Sequence, residues 1–277
     1  MFIILNITLI KTSITLTFYL YQSEKHIFNK NLLEIMKPLQ NKSILITGGA
    51  RRIGRELAIA CAQAGASILI HHSQSDEEAE DTAIQVRNLG GNATIIKADF
   101  SQPKEAIEVI EKYLLKDDSL YGLINNASIF DPIKFAETSI EKWQKHIDIN
   151  LTMPFLLSQL FQTALGTKKG RIINILDWRA LRPGKDHFPY TITKSSLAAL
   201  TKASALALSP QISVNGLALG AILPPSDGQG SDNILRNVPI GRWAKIHEVT
   251  EAVIFLLSGP EYITGEIIHV DGGRHLV

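Results

Sequence analysis

The sequence predicts an α/β fold: one domain built on a doubly wound parallel sheet, with helices on both faces. Three observations predict it. Short apolar runs of strand length alternate with longer helical segments from Lys42 to Val270, which is the pattern of βαβ units. The first apolar run passes straight into a glycine-containing turn, TGGARRIG, before a helix. The composition, 45% apolar and 20% charged over 277 residues, suits a chain that buries one large core.

The elements follow in order. Ser43 to Thr47 (SILIT) is a short apolar strand. Arg52 to Ala64 is helical and ends at Gly65. Ser67 to His72 is a second strand, and Asp76 to Leu89 a helix with an acidic first turn, closed by Gly90 and Gly91. Ala93 to Ala98 is a third strand, and Pro103 to Leu115 a helix with proline at its start. Tyr121 to Asn125 is a fourth strand, Ser139 to Gly166 holds helical segments around Asn150, and Arg171 to Leu176 is a fifth strand. Phe188 to Leu208 is a long helix, Ile212 to Ala218 a sixth strand, His247 to Leu257 a helix and Glu266 to Val270 a last strand. The Pro- and Gly-rich stretch from Gly220 to Gly241 is the one long irregular insertion, a candidate mobile substrate lid.

Residues 1–35 differ in character from everything after them. MFIILNITLIKTSITLTFYLYQ lacks a basic start and an Ala-x-Ala site, and Lys11 interrupts it too early for a membrane span. The segment is set apart as an N-terminal extension, with Met36 as the expected true start and residues 36–277 as the functional domain. A membrane anchor and an added packed element are the competing readings. A net charge of +1 gives no electrostatic footprint for nucleic acid. The single cysteine, Cys61, lies in a small-residue helical run. It excludes an intrachain disulfide and any cysteine-based metal cluster, so no metal is expected, and it fits a reducing, cytoplasmic setting.

The chemistry concentrates in Leu176 to Lys194, which holds Asp177, Tyr190 and Lys194. Tyr190 and Lys194 are spaced i, i+4 and share one helix face. An ammonium near a phenol is expected to lower the tyrosine pKa and ready it for proton donation. The pattern alone is weak, since Tyr21 and Lys25 repeat it by chance. At the other end, a tight turn after the first strand lets backbone approach a pyrophosphate, and the next helix offers its free N–H groups.

Together Thr-Gly-x-x-x-x-x-Gly at residues 47–54, Asn-Asn-Ala at 125–127, Tyr-x-x-x-Lys at 190–194 and Val-Asn-Gly at 214–216 resemble the short-chain dehydrogenase/reductase family. The resemblance spans nearly everything after Met36. It implies a Rossmann-like domain, a nicotinamide cofactor and a homotetramer with the last strand in an interface. It also implies that Thr47, Gly48, Arg51, Arg52, Ile53 and Gly54 form the pyrophosphate turn. Asp99 and Phe100 would contact the adenine, and Asn126, Ala127, Ser128, Tyr190, Lys194 and Gly220 the rest of the cofactor. Asn150 would help hold a water linked to Lys194.

Three departures from the common pattern resemble the pteridine reductases of that family. Arg52 replaces the usual middle glycine, Ser128 replaces another glycine, and Asp177, 13 residues before Tyr190, stands where serine is usual. Phe130 matches their aromatic residue that stacks on the pterin. A serine can donate to a substrate carbonyl, whereas a carboxylate cannot, and beside a developing alkoxide it repels charge. Asp177 therefore argues for reduction of a ring C=N bond, with a proton relayed to nitrogen. Arg52, Ser128, Phe130, Asp177 and Tyr190 are the expected substrate contacts; Trp178, Arg182 and Arg236 are candidates for a substrate tail. No carboxylate precedes Asp76 at the end of the second strand; Ser73, Gln74 and Ser75, with Arg51 nearby, suit a 2′-phosphate. NADPH is the expected cofactor and a pterin or folate the expected substrate. A carbonyl or 3-oxoacyl reductase and a non-catalytic nucleotide sensor are the alternatives.

Overall fold

The computed structural model describes residues 37–223 and 235–277. The expected N-terminal extension and the centre of the Gly220–Gly241 segment lie outside them. Seven strands, β1 (Ser43–Ile46), β2 (Ser67–His72), β3 (Ala93–Lys97), β4 (Leu120–Asn125), β5 (Gly170–Asp177), β6 (Ile212–Leu219) and β7 (Ile267–Val270), form one sheet. Its order is β3-β2-β1-β4-β5-β6-β7, and every neighbouring pair is parallel. The expected doubly wound parallel sheet is therefore what the chain builds.

The helices are α1 (Arg52–Gln63), α2 (Asp76–Asn88), α3 (Pro103–Leu114), α4 (Ile140–Ile147), α5 (Met153–Leu165), α6 (Phe188–Leu208) and α7 (Ile246–Ser258). Side chains alternate across each strand, so β1 sends Ile44 and Ile46 to one face and Leu45 to the other. The first face packs on Leu57 and Cys61 of α1, Val86 of α2 and Val253 and Leu257 of α7. The second packs on Ile110 of α3 and Leu157 and Phe161 of α5. Cys61 is wholly buried in the first core, the packing role its setting suggests. No helix among the described residues is long and apolar enough to cross a membrane.

The order places a switch point between β1 and β4, where successive connections leave toward opposite sides. In such sheets the crevice beyond the carboxyl ends of the strands is the natural binding place. Buried polar side chains tie the layers together below it. Asn125 of β4 donates to Asn174 of β5 at 2.8 Å, and Asn174 donates to Thr201 of α6 at 2.9 Å. That chain anchors the helix carrying Tyr190 to the strand pair beside the switch point.

Candidate active site

A cavity of about 600 Å³ opens at the carboxyl end of the sheet. It brings together most residues expected to meet a cofactor: Gly48, Arg51 to Gly54, Ser73 to Ser75, Asp99, Phe100 and Asn126 to Ser128, with Phe130 and Tyr190.

At the nucleotide end the turn is held by backbone geometry. Gly48 has φ +62°, and a Cβ there would lie 3.1 Å from the Ala127 backbone. At Gly54 a Cβ would sit 2.0 Å from the Gly48 carbonyl oxygen, so α1 can start this close to the turn only with glycine there. The cap residue, Arg51, makes no side-chain hydrogen bond to the helix start. The first N–H groups of α1 thus face the cavity without a capping side chain, which is the arrangement that receives an anion. Arg52 adopts φ 51°, the left-handed region in which glycine is the easy choice. The arginine that departs from the common pattern is therefore held in a strained backbone, as side chains with a task at a site often are.

Thr47 pins the turn to the loop after β4. It is buried, and its hydroxyl oxygen accepts from the N–H groups of Asn126 and Ala127, both at 2.9 Å, while donating to the Ile124 carbonyl. Asn126 in turn donates to the Thr47 carbonyl at 2.8 Å. Gly220 follows β6 and lies close against Asp271, where a Cβ would sit 2.6 Å from the Asp271 backbone. Phe100 lines the cavity with its side chain turned inward, stacked on the His71 ring at 3.8 Å. Asp99 uses one carboxylate oxygen on the Ser101 N–H.

His71 is the residue that sequence reasoning passed over. Its Nδ1 accepts from the Gly48 N–H at 3.1 Å, which leaves Nε2 to donate to the Ala98 carbonyl at 3.0 Å. Burial pulls its pKa down to about 4, so the neutral ring braces the pyrophosphate turn against β2 and β3 across the physiological range.

At the other end Asp177 closes β5 and Tyr190 lies in the first turn of α6. The Tyr190 hydroxyl donates to Asp177 Oδ2 at 3.1 Å, and Asp177 Oδ1 accepts from the Arg179 N–H at 2.8 Å. The Arg179 guanidinium stands 3.8 Å from Asp177 and bonds Asp186 at 3.1 Å. The expectation of a lowered tyrosine pKa is overturned. Burial first, and then the charge and hydrogen bond of Asp177, push the Tyr190 phenol well above its usual value. Lys194 does share the face of Tyr190, but its ammonium donates to the Ile175 carbonyl at 2.7 Å and lies 5.7 Å from the phenol ring centre. Burial pulls its pKa down to about 8, against the opposing pull of Asp177.

Asn150 sits in a π-helical turn, Asp148–Thr152, between α4 and α5. Such turns are often found at functional sites. Its side chain accepts from the Ile129 N–H and the Ser128 hydroxyl and donates to the Ile129 carbonyl and to Thr193. It thereby grips both the loop bearing Phe130 and the helix bearing Tyr190. Phe130 is half exposed; His187 stacks on it at 3.8 Å and Tyr190 meets it edge-on at 4.6 Å. His187, whose left-handed backbone starts α6, had no signal in the sequence beyond lying three residues before Tyr190. Of the tail candidates, Trp178 lies beside Asp177, while Arg182 and Arg236 are exposed.

Known proteins resemble this chain in sequence and in fold. The family model described as enoyl-(acyl-carrier-protein) reductase matches residues 48–275. The oxidoreductase YohF of Escherichia coli is 33% identical, over 83% of this chain and 94% of its own. A 3-oxoacyl-(acyl-carrier-protein) reductase of Synechocystis is 30% identical, over 86% of this chain and 98% of its own. The crystal structure of FolM alternative dihydrofolate reductase 1 of Brucella suis, in complex with NADP, superposes with a TM-score of 0.80 at 32% identity, over 86% of this chain and 97% of that one. With the switch-point cavity, the glycine turn and the Asn150, Tyr190 and Lys194 set in place, the chain belongs to the short-chain dehydrogenase/reductase family and is an oxidoreductase of that family.

Proposed function

We propose that this oxidoreductase is an NADPH-dependent pteridine reductase, acting on a ring C=N bond of a dihydropterin or dihydrofolate. The observation that carries the reading is the hydrogen bond from Tyr190 to Asp177 at 3.1 Å. A tyrosine bound to a carboxylate keeps its proton at neutral pH and delivers it only to a stronger base. A ring nitrogen gaining electron density as the adjacent carbon is reduced is such a base. A carboxylate at this position disfavours the alkoxide that forms in carbonyl reduction.

The cavity fits the cofactor: an uncapped helix start for the pyrophosphate, and Arg51 with Ser73, Gln74 and Ser75 for the 2′-phosphate. NADPH supplies hydride when bound. The chain's own residues do the rest. Phe130 is half exposed, and with His187 stacked on one face its other face is the one on which a flat heterocycle would stack. Arg52, a planar donor at the turn, can bond phosphate and a ring carbonyl together. Asn150 holds the Phe130 loop and α6 in register. Lys194, close to half-protonated at about pH 8, holds positive charge beside the ribose position while remaining near neutrality in pKa. The similarity to a dihydrofolate reductase of the FolM type supports the same substrate class. A cytoplasmic homotetramer accompanies this reading, with β7 as the edge strand of the sheet among the described residues.

The test is reduction of dihydrobiopterin, dihydrofolate and acetoacetyl thioester by the purified protein with NADPH, followed by loss of cofactor absorbance. Turnover of a pterin or folate is expected. Turnover of the thioester alone would make the protein a 3-oxoacyl reductase, like its Synechocystis relative. Asp177→Ser is expected to abolish pterin reduction, and unchanged activity in that variant would remove the central argument.

A further inference from the structure

One residue at the entry to α6 has an unusual backbone and an unusual neighbour. His187 lies in the left-handed region, with φ 50° and ψ 49°, a conformation uncommon outside glycine. Residues held in this way beside a site often have a task there. The chain around it is clasped to the loop after β4. The Phe188 N–H donates to the Ile133 carbonyl at 2.7 Å, and the Phe188 ring meets Phe135 edge-on at 4.9 Å. The His187 carbonyl accepts the Thr191 N–H at 2.9 Å, within the first turn of the helix.

That backbone sends the imidazole onto Phe130. The ring centres are 3.8 Å apart and the planes differ by 6°, so the two rings lie face to face. The imidazole is itself held in its plane. Its Nδ1 donates to Asp186 Oδ2 at 3.1 Å, since a carboxylate only accepts. The same oxygen accepts from Arg179 at 3.1 Å, and the Arg179 guanidinium lies 5.7 Å from the centre of Phe130. Among the described residues the His187 side chain hydrogen-bonds Asp186 and none of Asp177, Tyr190 or Lys194. It therefore stands outside the proton-donating set. Phe130 still lines the cavity and is 49% exposed. With one face under His187 and its ring at a steep angle to Tyr190, the exposure that remains lies on the opposite face and the rim.

We propose that His187 is a positioning residue that determines specificity: it backs Phe130, fixes the plane of that ring and leaves a one-faced slot that favours a flat ring over a flexible acyl chain. A half-exposed phenylalanine on a loop can otherwise turn about its side-chain bonds. Ordering it during folding removes that cost from binding. A single open face also brings the ring in from one side, with Tyr190 at the edge of the slot. That the ring is a pterin rests on the pteridine reductase reading; that the slot takes one flat ring does not.

The experiment measures the Kd of biopterin, by quenching of its fluorescence on protein saturated with NADP, and the KM of dihydrobiopterin. Wild type, His187→Asn, Phe130→Leu and the double variant are compared. Asparagine tolerates the left-handed backbone, so His187→Asn removes the ring and keeps the helix start, and its Tm should stay close to that of wild type. Loss of the stack is expected to raise both constants by roughly 3- to 10-fold. His187→Asn should add nothing once Phe130 is leucine, because it acts through that ring. Additive losses in the double variant, or a matching loss of NADPH affinity, would show that His187 only supports the fold, and would overturn the proposal. A wild type that binds biopterin but turns over only acetoacetyl thioester, with His187→Asn weakening that binding, keeps the slot and sinks the reductase reading. A wild type that reduces dihydrobiopterin with constants indifferent to His187→Asn keeps that reading and sinks the slot. A wild type that neither binds biopterin nor reduces dihydrobiopterin sinks both.

Discussion

The two ends of the cavity are built on different principles. The nucleotide end is assembled from backbone and neutral groups: the Gly48 turn, the Thr47 hydroxyl and an uncharged His71 ring. The chemistry end is assembled from coupled charges: Asp177, Arg179, Asp186 and Lys194 around one phenol. A frame held by a ring that stays neutral around pH 7 keeps its shape there, and its failure should show as lost cofactor affinity. A charged network sets proton positions, and its failure should show in kcat and in the pH profile. Substitutions at the two ends should therefore separate KM for the cofactor from kcat.

The largest effect belongs to the charged end. Tyr190→Phe removes the hydroxyl bonded to Asp177 and is expected to lower kcat by about 100- to 10,000-fold, with KM for NADPH little changed. Steady-state kinetics with saturating cofactor measures it, and a smaller loss would mean that another group delivers the proton. In the same enzyme kcat/KM should decline as pH rises through about 8, where the Lys194 ammonium is lost. A profile flat to pH 10 would show that its charge is not needed.

The neutral end should answer differently. His71→Leu leaves the Gly48 N–H without its acceptor, an omission worth about 1–3 kcal/mol, and should raise KM for NADPH by roughly tenfold with kcat preserved. His71→Asn places an oxygen at the position of Nδ1 and should restore much of the affinity. A purely structural role would weaken both variants alike. The same ring makes stability pH-dependent. Its pKa is about 4 in the fold and near 6.5 when unfolded, so the unfolded chain binds the proton first. The contribution is complete above pH 6.5 and is lost as pH falls through 4, a change of about 3 kcal/mol at most. Denaturant midpoints between pH 7 and pH 4 would reveal it, and His71→Leu should flatten that slope.

The contrast also explains what could be read from the chain. Strand and helix boundaries, the glycine turn and the Asp177, Tyr190 and Lys194 set depend on local spacing, and the fold reproduces them. The failures are contacts between distant segments. His71 acts by bridging the end of β1 to the end of β3, Arg274 reaches Trp178 from the far end of the domain, and His187, just before α6, stacks on Phe130 of the loop after β4. The tyrosine pKa was misjudged for a related reason. The i, i+4 rule put Lys194 on the right face but not its ammonium, which turns to the Ile175 carbonyl and leaves Asp177 as the immediate partner. Thr47 opens the motif, and only the fold shows its two backbone partners, which make it the pin that holds the next loop.

The smallest effect tests where the two ends meet. Arg52 belongs to the backbone-built turn by position and to the charged site by its side chain. Its φ of 51° costs a non-glycine residue roughly 1–2 kcal/mol. Arg52→Gly should relieve that strain, and the greater flexibility of glycine in the unfolded chain should return part of the gain, by about 0.5–1 kcal/mol. The expected result is a slightly higher Tm, by a degree or two, measured on the ligand-free protein. The same variant should bind NADPH and substrate more weakly, because the donor at the turn is gone. A variant both less stable and unaffected in binding would mean that the arginine serves packing, and the division between a neutral frame and a charged site would then fail at the one residue that belongs to both.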